Sequence, residues 1–219
     1  MKLKTIHFFG ILSIFLFIIS VGIALTINMF PLYWFDIDYL GIAEYVGVPK
    51  EILVENYTAL MRYLNLPWVT TLNMPDFPSS ANGLLHFYEV KRLFLLDYAV
   101  LIGSGIGSFF FIRYLKIKKL IWILIRPFQI ALVAPVVVLF FVAVSFDRLF
   151  VLFHEVFFNN DAWIFNPTTD PIIEALPQEF FMHCFILAFV LIEVQFLLGY
   201  LLTRRELKIK NTQISANGI

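Results

Sequence analysis

The chain has 219 residues, of which 60% are hydrophobic and only 15% are charged. Soluble domains average about 45–50% apolar and about 25% charged residues, so this composition excludes a water-soluble globule and a disordered or fibrous chain. Sixteen Lys and Arg residues balance sixteen Asp and Glu residues, which excludes nucleic-acid binding driven by net charge, and the single cysteine excludes an internal disulfide.

Four stretches are mostly apolar and close to the roughly 20 residues that a helix needs to cross a membrane. We therefore predict an all-α polytopic membrane protein with four transmembrane helices, at residues 1–29, 93–112, 127–146 and 181–202. A signal peptide is the alternative for the first stretch, since Lys2 and Lys4 precede it. Its apolar run exceeds the usual length of about 7–15 residues, which favours a membrane anchor.

The distribution of Lys and Arg predicts the orientation of these helices. If the N-terminus is inside, eleven of the sixteen basic residues lie on the inner side, and the positive-inside rule places both termini in the cytoplasm. Residues 113–126 then form a basic cytoplasmic loop, within which the short apolar run 120–125 is expected to be an interfacial helix. Residues 203–219 form a cytoplasmic tail, which is expected to be irregular after Leu207.

Two segments face outward, residues 30–92 and 147–180, and are expected to form a small extracellular cap of short elements. In the first of them, Pro49 and Lys50 begin a helical pattern of apolar residues that ends at Leu66. The second carries three prolines and is expected to be mostly loop.

The polar residues of interest lie near the outer ends of the second and third spans. His86 precedes one span by about seven residues and His154 follows the other by about eight, so a rise of about 1.5 Å per residue places both at the depth of lipid headgroups. If both helices continue past their spans, Glu89 and Asp97 share a face with His86, and Asp147 lies two turns before His154. We therefore predict that the two imidazoles are neighbours in the bundle.

Two histidines at ester depth, with no convincing Ser or Cys nucleophile, favour general acid–base chemistry over an acyl-enzyme. One imidazole would take a proton from the attacking group and the other would donate one to the leaving alkoxide. A carboxylate beside each ring would fix its tautomer, and an arginine would stabilise the oxyanion. The candidates for these supporting roles are Glu89, Asp97, Asp147, Glu155, Arg92 and Arg148.

Interfacial histidines and acids are also ordinary at helix ends, so each residue taken singly is compatible with a purely structural role. A metal site built from His86, Glu89 and His154 is an alternative, but no H-E-x-x-H spacing supports it, and we predict neither a metal nor a cofactor. Glu193 lies in the middle of the fourth span, where a structural role and a functional one are equally compatible with its position.

Two further patterns have simpler explanations than catalysis. His183 and Cys184 are adjacent on a helix and therefore point about 100° apart, so they do not face each other. The run 103–108, GSGIGS, lies inside a span without a preceding strand, which predicts close helix packing instead of a phosphate loop.

The runs HFYEVKR at residues 86–92 and HEVFF at residues 154–158 resemble the two histidine motifs of the lipoprotein intramolecular transacylase family of Gram-positive integral membrane proteins. The similarity extends over nearly the whole chain. The resemblance implies an enzyme that moves the sn-2 acyl chain of a lipoprotein's diacylglyceryl-cysteine to the α-amine of that cysteine, giving a lyso-form lipoprotein. It also implies that His86 and His154 carry the proton transfers, at the outer leaflet of the bacterial plasma membrane and without a cofactor.

The partners expected on this basis are diacylated lipoprotein and membrane lipids, with no nucleic acid, and the protein is expected to be a monomer. The residues alone predict only a membrane protein with an outward-facing acid–base site. Two alternatives therefore stay open. One is a lipid or lipoprotein ester deacylase that uses water as acceptor, and the other is a non-enzymatic envelope accessory or pH-sensing protein.

Overall fold

The protein is described here by a computed structural model that covers residues 2–216, a stretch that contains helices and no strand. The all-α prediction is confirmed. The α-helices of this stretch are α1 (Lys2–Ile27), α2 (Phe30–Tyr39), α3 (Ile42–Val46), α4 (Lys50–Asn65), α5 (Ala81–Ile117), α6 (Ile125–Ala131), α7 (Val133–Phe157), α8 (Ile172–Ala175) and α9 (Gln178–Ala216).

Four helical stretches are long and apolar enough to cross a membrane, as predicted. They are Leu3–Ile27, Ala81–Ile117, Ile121–Phe157 and Gln178–Lys208. Large apolar side chains stand exposed along them, Ile102, Phe110 and Val144 among them. Exposed apolar side chains on helices of this length are suited to contact with lipid.

Helices α5 and α7 continue well past the predicted spans, and this continuation carries both histidines. At the start of α5, the Ser80 hydroxyl accepts a hydrogen bond from the Gly83 N–H at 3.0 Å, which caps the helix. The Asp170 carboxylate in turn accepts one from the Ser80 N–H at 2.7 Å, next to the positive end of the helix. Helix α7, which carries His154, continues to Phe157.

The beginning of the third span differs from the prediction. Residues 121–124 form one 3-10 turn in place of the expected interfacial α-helix, and the helix that follows is interrupted at Leu132. Pro135 explains the interruption, because it has no N–H to donate to the carbonyl of Ala131, where α6 ends. Further along, Ser145 has non-helical dihedral angles and marks a kink within α7.

The expectation of an irregular chain after Leu207 is wrong for residues 208–216, since α9 continues to Ala216. The helix α9 continues there without an apolar pattern because residues with high helix propensity follow the span, namely Glu206, Leu207 and Lys208. Residues 217–219 of the predicted tail lie outside the described part of the chain.

The chain forms two compact units, and the first comprises residues 1–23, 98–140 and 187–219. Its core contains Phe111, Leu115, Phe128 and Phe196. The remaining core members of this unit are mostly aliphatic, which suits a helix bundle whose helices all share an apolar environment.

The second unit comprises residues 24–97 and 141–186. Its core is built on α2 and α4, the helix predicted from residue 49 onward. The Tyr33 ring stacks on Tyr57 with centroids 4.0 Å apart, and the Tyr33 hydroxyl donates to the Ala175 carbonyl at 2.9 Å. The Asn56 side chain binds Asp76 at 2.7 Å, which attaches the loop before α5 to α4. This unit therefore provides a rigid support for the start of α5.

Candidate active site

His86 and His154 lie side by side in the second unit. His86 is in the second turn of α5 and His154 in the last turn of α7, and their ring centroids are 5.6 Å apart. The relative solvent exposure of each of these two residues is only 8%. The juxtaposition predicted from matched depth on sequential helices is therefore confirmed.

The hydrogen bond of His154 defines its tautomer. Its Nδ1 lies 2.7 Å from the carbonyl oxygen of Phe150, which can only accept, so Nδ1 carries the hydrogen and Nε2 keeps a lone pair. The expectation that a carboxylate would hold this ring is wrong. Asp147 instead accepts a hydrogen bond from the side chain of Gln178 at 2.7 Å. A backbone carbonyl one helical turn away is the nearer acceptor, because it needs no side chain to reach it.

Aromatic rings enclose both imidazoles. His154 stacks on Trp163 with centroids 4.6 Å apart and an interplanar angle of 26°. Phe158 and Phe165 approach His86 edge-on, at 4.7 and 5.5 Å. The loop that follows α7 supplies these rings, and the sequence analysis missed Trp163 and Phe165. Their only signal in the sequence is a concentration of aromatic residues in a segment interpreted as loop.

His86 has an unsatisfied polar atom in this setting. Its Nδ1 is buried and has no hydrogen-bond partner among the described residues. An unpaired buried polar atom costs about 1–3 kcal/mol, and such costs concentrate at functional sites. The two rings thus differ in chemistry, since one has its Nδ1 occupied by the backbone and the other does not.

Glu89 lies one turn after His86 on α5 and contacts the same loop. Its Oε1 accepts a hydrogen bond from the Asn160 amide at 2.8 Å. The Asn160 side-chain oxygen accepts one from the Ala162 N–H at 2.9 Å, which fixes the turn that leads to the aromatic rings. Glu89 therefore helps to position the loop that covers the histidines.

A groove beside the histidines has a volume of about 540 Å³ and combines two charged residues with an apolar wall. Its lining includes Glu89, Arg92, Leu93, Leu96, Phe157 and Phe158. Phe158 also contacts the His86 ring, so one wall of the groove is shared with the surroundings of the histidine pair. Glu89 and Arg92 are the predicted supporting residues that the structure places here.

The other predicted supporting residues lie elsewhere. Asp97 is eleven residues beyond His86, which corresponds to about 16 Å along the helix axis, so it cannot contact that ring. Arg148 and Glu155 are exposed on α7. No three His, Cys, Asp or Glu side chains converge on a metal-sized space within the described residues.

A second histidine contact, which the sequence analysis did not anticipate, lies in the same unit. The Nδ1 of His183 is 2.8 Å from Oδ1 and 3.0 Å from Oδ2 of Asp36, whose side chain is fully buried. This contact joins α2 to α9. Cys184, the next residue, packs against the core of the unit, in agreement with the prediction that the two do not act as a pair.

Comparison with known proteins identifies the family. A family model described as lipoprotein intramolecular transacylase Lit matches residues 8–181. The chain belongs to this family. The resemblance of the two histidine motifs is therefore confirmed at the level of the family, and a search of curated proteins finds no match.

Solved structures of the membrane-integral lipoprotein intramolecular transacylase Lit from Bacillus cereus share the fold. One is 31% identical, with a TM-score of 0.92, and the match covers 95% of this chain and 97% of the Lit chain. Two others carry a histidine replaced by arginine or by alanine, and both are 30% identical. Their TM-scores are 0.85 and 0.84, with 96% and 95% of this chain covered and 94% and 95% of theirs. The Lit fold and the four apolar helices make this chain a multi-pass membrane protein.

Proposed function

We propose that this protein is a lipoprotein intramolecular transacylase that moves the sn-2 acyl chain of a diacylglyceryl-cysteine to the α-amine of the same cysteine. The product is a lyso-form lipoprotein with an amide-linked acyl chain. The reaction takes place at the outer leaflet of the plasma membrane, in a monomer, with His86 and His154 as the acid–base pair. Membership of the Lit family supports the reaction class.

The observation that carries the proposal is the pair of buried imidazoles 5.6 Å apart beside a groove with an apolar wall. An O-to-N acyl shift within one molecule needs no enzyme nucleophile, because the amine and the ester already belong to the same substrate. It needs a proton acceptor for the amine and a proton donor for the glycerol oxygen. Two adjacent imidazoles provide both functions.

The tautomer of His154 supports a role as the base. With Nδ1–H bonded to the Phe150 carbonyl, Nε2 is the basic nitrogen and accepts the proton that the amine loses as its nitrogen bonds to the ester carbon. His86 then donates its ring proton to the glycerol oxygen as the ester C–O bond breaks, and takes up in exchange the proton that His154 received. One proton has thereby moved from the amine to the glycerol oxygen, and both rings end in the neutral state in which they began.

The tetrahedral intermediate carries a negative oxygen that requires a donor. Arg92 lines the groove, and this position supports Arg92 as the cationic donor to that oxygen. Arg148, the other arginine considered from the sequence, does not line this groove.

Intact mass spectrometry of a lipoprotein N-terminal peptide tests the proposal. The protein is expressed in a host that supplies diacylated lipoprotein and lacks N-acylation of its own. We expect unchanged total mass, with one acyl chain moved from glycerol to the amide in the fragment spectrum. General acid–base groups contribute about 10²–10⁴-fold in rate, so His86→Ala and His154→Ala should each reduce conversion by about that factor.

His7→Ala is the matched control, since His7 contacts Phe111 and Tyr114 in the first unit and stays outside the pair. This variant should convert lipoprotein like the unmodified protein. Loss of one acyl mass would indicate a deacylase instead. An unchanged lipoprotein in cells that contain well-expressed protein would refute the transacylase proposal.

A further inference from the structure

One oxygen of Glu89 has no hydrogen-bond partner in the part of the chain that the structure describes. The Oε1 atom is bound to the Asn160 amide at 2.8 Å, whereas the Oε2 atom is buried and unpaired among the described residues. A carboxylate oxygen that is withdrawn from water and left without a donor is costly, and the cost is larger than for a neutral group. The position therefore favours a ligand that supplies a positively charged N–H donor.

The surroundings of Glu89 do not supply such a donor from the protein. Arg92 shares the groove but is exposed, and the ion pairs of the described residues do not include one between Arg92 and Glu89. The remaining lining of the groove is apolar, from Leu93, Leu96 and Phe158. A cationic ligand with an apolar body would match both parts of this groove.

Glu89, which lines the groove, lies close to His86 on α5. Glu89 follows His86 by three residues, so the two side chains lie on neighbouring positions of one helix face. Phe158 lies between the two, since it contacts the His86 ring at 4.7 Å and also lines the groove.

We propose that Glu89 binds the α-ammonium group of the substrate cysteine and holds it beside the histidines. The inference rests on the proposed transacylase function. On binding, the Glu89 carboxylate turns Oε2 toward the groove, where the ammonium N–H groups donate to it, while Oε1 stays with Asn160 and the acyl chain lies along the apolar wall. Before attack the ammonium releases one proton to the surrounding water, and the neutral amine stays bound through its remaining hydrogens; Nε2 of His154 then takes the second proton as the N–C bond forms. Glu89 thereby selects lipoproteins whose N-terminus is still free.

The other acids of the unit do not fit this role as well. Asp147 is bonded to Gln178 and Glu155 is exposed to the surroundings on α7. Among the described residues, Glu89 is the acid that combines a buried oxygen without a hydrogen-bond partner with a position in the groove.

A binding experiment in a non-converting background tests the inference. His154→Ala protein in lipid nanodiscs is titrated with two synthetic diacylglyceryl-cysteine lipopeptides, one with a free α-amine and one with that amine acetylated. We expect the free amine to bind at least about tenfold more tightly, the difference that a charge-assisted hydrogen bond of about 1.4 kcal/mol or more produces. Adding Glu89→Gln should abolish this preference, because glutamine keeps the oxygen that Asn160 binds and removes the charge.

Glu155→Gln is the matched control, since it makes the same change at an exposed acid next to His154, and it should leave the preference intact. If Glu89→Gln retains the preference, or weakens both lipopeptides equally, the inference is overturned. Conversion of the free-amine lipopeptide by the unmodified protein is measured in parallel. If it fails, the transacylase proposal and this inference fall together; if it succeeds while the Glu89→Gln result is negative, only the inference falls.

Discussion

At the scale of single residues, the site depends on what each ring nitrogen contacts. Asp147 and His154 are seven residues apart on α7, a spacing that puts them on the same face of the helix. The two side chains nevertheless do not form the predicted contact. The carboxylate binds Gln178, and the imidazole binds the backbone carbonyl of Phe150. A backbone acceptor is present whatever the sequence, so residue spacing could not distinguish the two outcomes.

This difference leads to a prediction for Asp147. Because its carboxylate does not hold His154, Asp147→Asn should retain acyl transfer within about tenfold, since an exposed hydrogen bond of the ordinary kind contributes about 0.5–1.5 kcal/mol. Conversion rates from lipopeptide mass spectrometry provide the measurement, with His154→Ala as the reference for full loss. A loss of 100-fold or more in Asp147→Asn would show that the carboxylate does act on the histidine.

At the scale of helices, the glycine run inside α5 packs closely, as predicted. A Cβ on Gly107 would collide with the Ser13 hydroxyl, and one on Gly105 would lie 3.1 Å from the Phe17 ring. The Ser13 hydroxyl donates to the Ser104 carbonyl at 3.0 Å, so it is not free to move aside. Gly103, in contrast, has open space at the same position. Small residues at α5 thus allow α1 to approach closely within the first unit.

Two leucine substitutions in this run should therefore differ in stability. Gly107→Leu should lower the free energy of unfolding by about 1–3 kcal/mol, because it forces bulk into a packed contact. Gly103→Leu should be close to neutral or slightly stabilising, because leucine favours helix and meets nothing. Thermal unfolding in detergent, followed by tryptophan fluorescence, measures both. Equal melting temperatures for the two variants would contradict close packing at residue 107.

At the scale of the whole molecule, the apolar surface of the long helices and the distribution of charge describe a membrane protein. Each of the two compact units has a core of its own. The core of the first unit includes Phe111, Phe128 and Phe196, and the core of the second is built on Tyr33 and Tyr57. The histidine pair lies in the second unit. The orientation with both termini inside follows from the basic residues and stays a prediction.

Cysteine labelling in intact cells tests that orientation. In a Cys184→Ser background, a cysteine at Tyr45, which is 74% exposed in the second unit, should react with an impermeant maleimide added outside. A cysteine at the exposed Lys118 should react only after the membrane is permeabilised. The reverse pattern would place the histidine pair on the cytoplasmic side and would contradict an outer-leaflet reaction.

The sequence by itself determined the class of protein, the four long helices and the two histidines that meet. These features follow from composition and from helical periodicity, which depend on residues close together in the chain. Local prediction also has limits, as Pro135 shows. Pro135 has no N–H for the Ala131 carbonyl, so α6 ends at Ala131 and the predicted third span is divided.

Only the tertiary structure decided what surrounds the histidines. Trp163 and Phe165 enter the site from a loop, and Asp36 meets His183 from a position 147 residues earlier in the chain. Contacts of this kind leave no periodic signal, because a loop or a distant helix can be placed in many ways by the same local sequence. The unpaired oxygen of Glu89 belongs to this group as well, since burial and the absence of a partner are properties of packing and not of spacing.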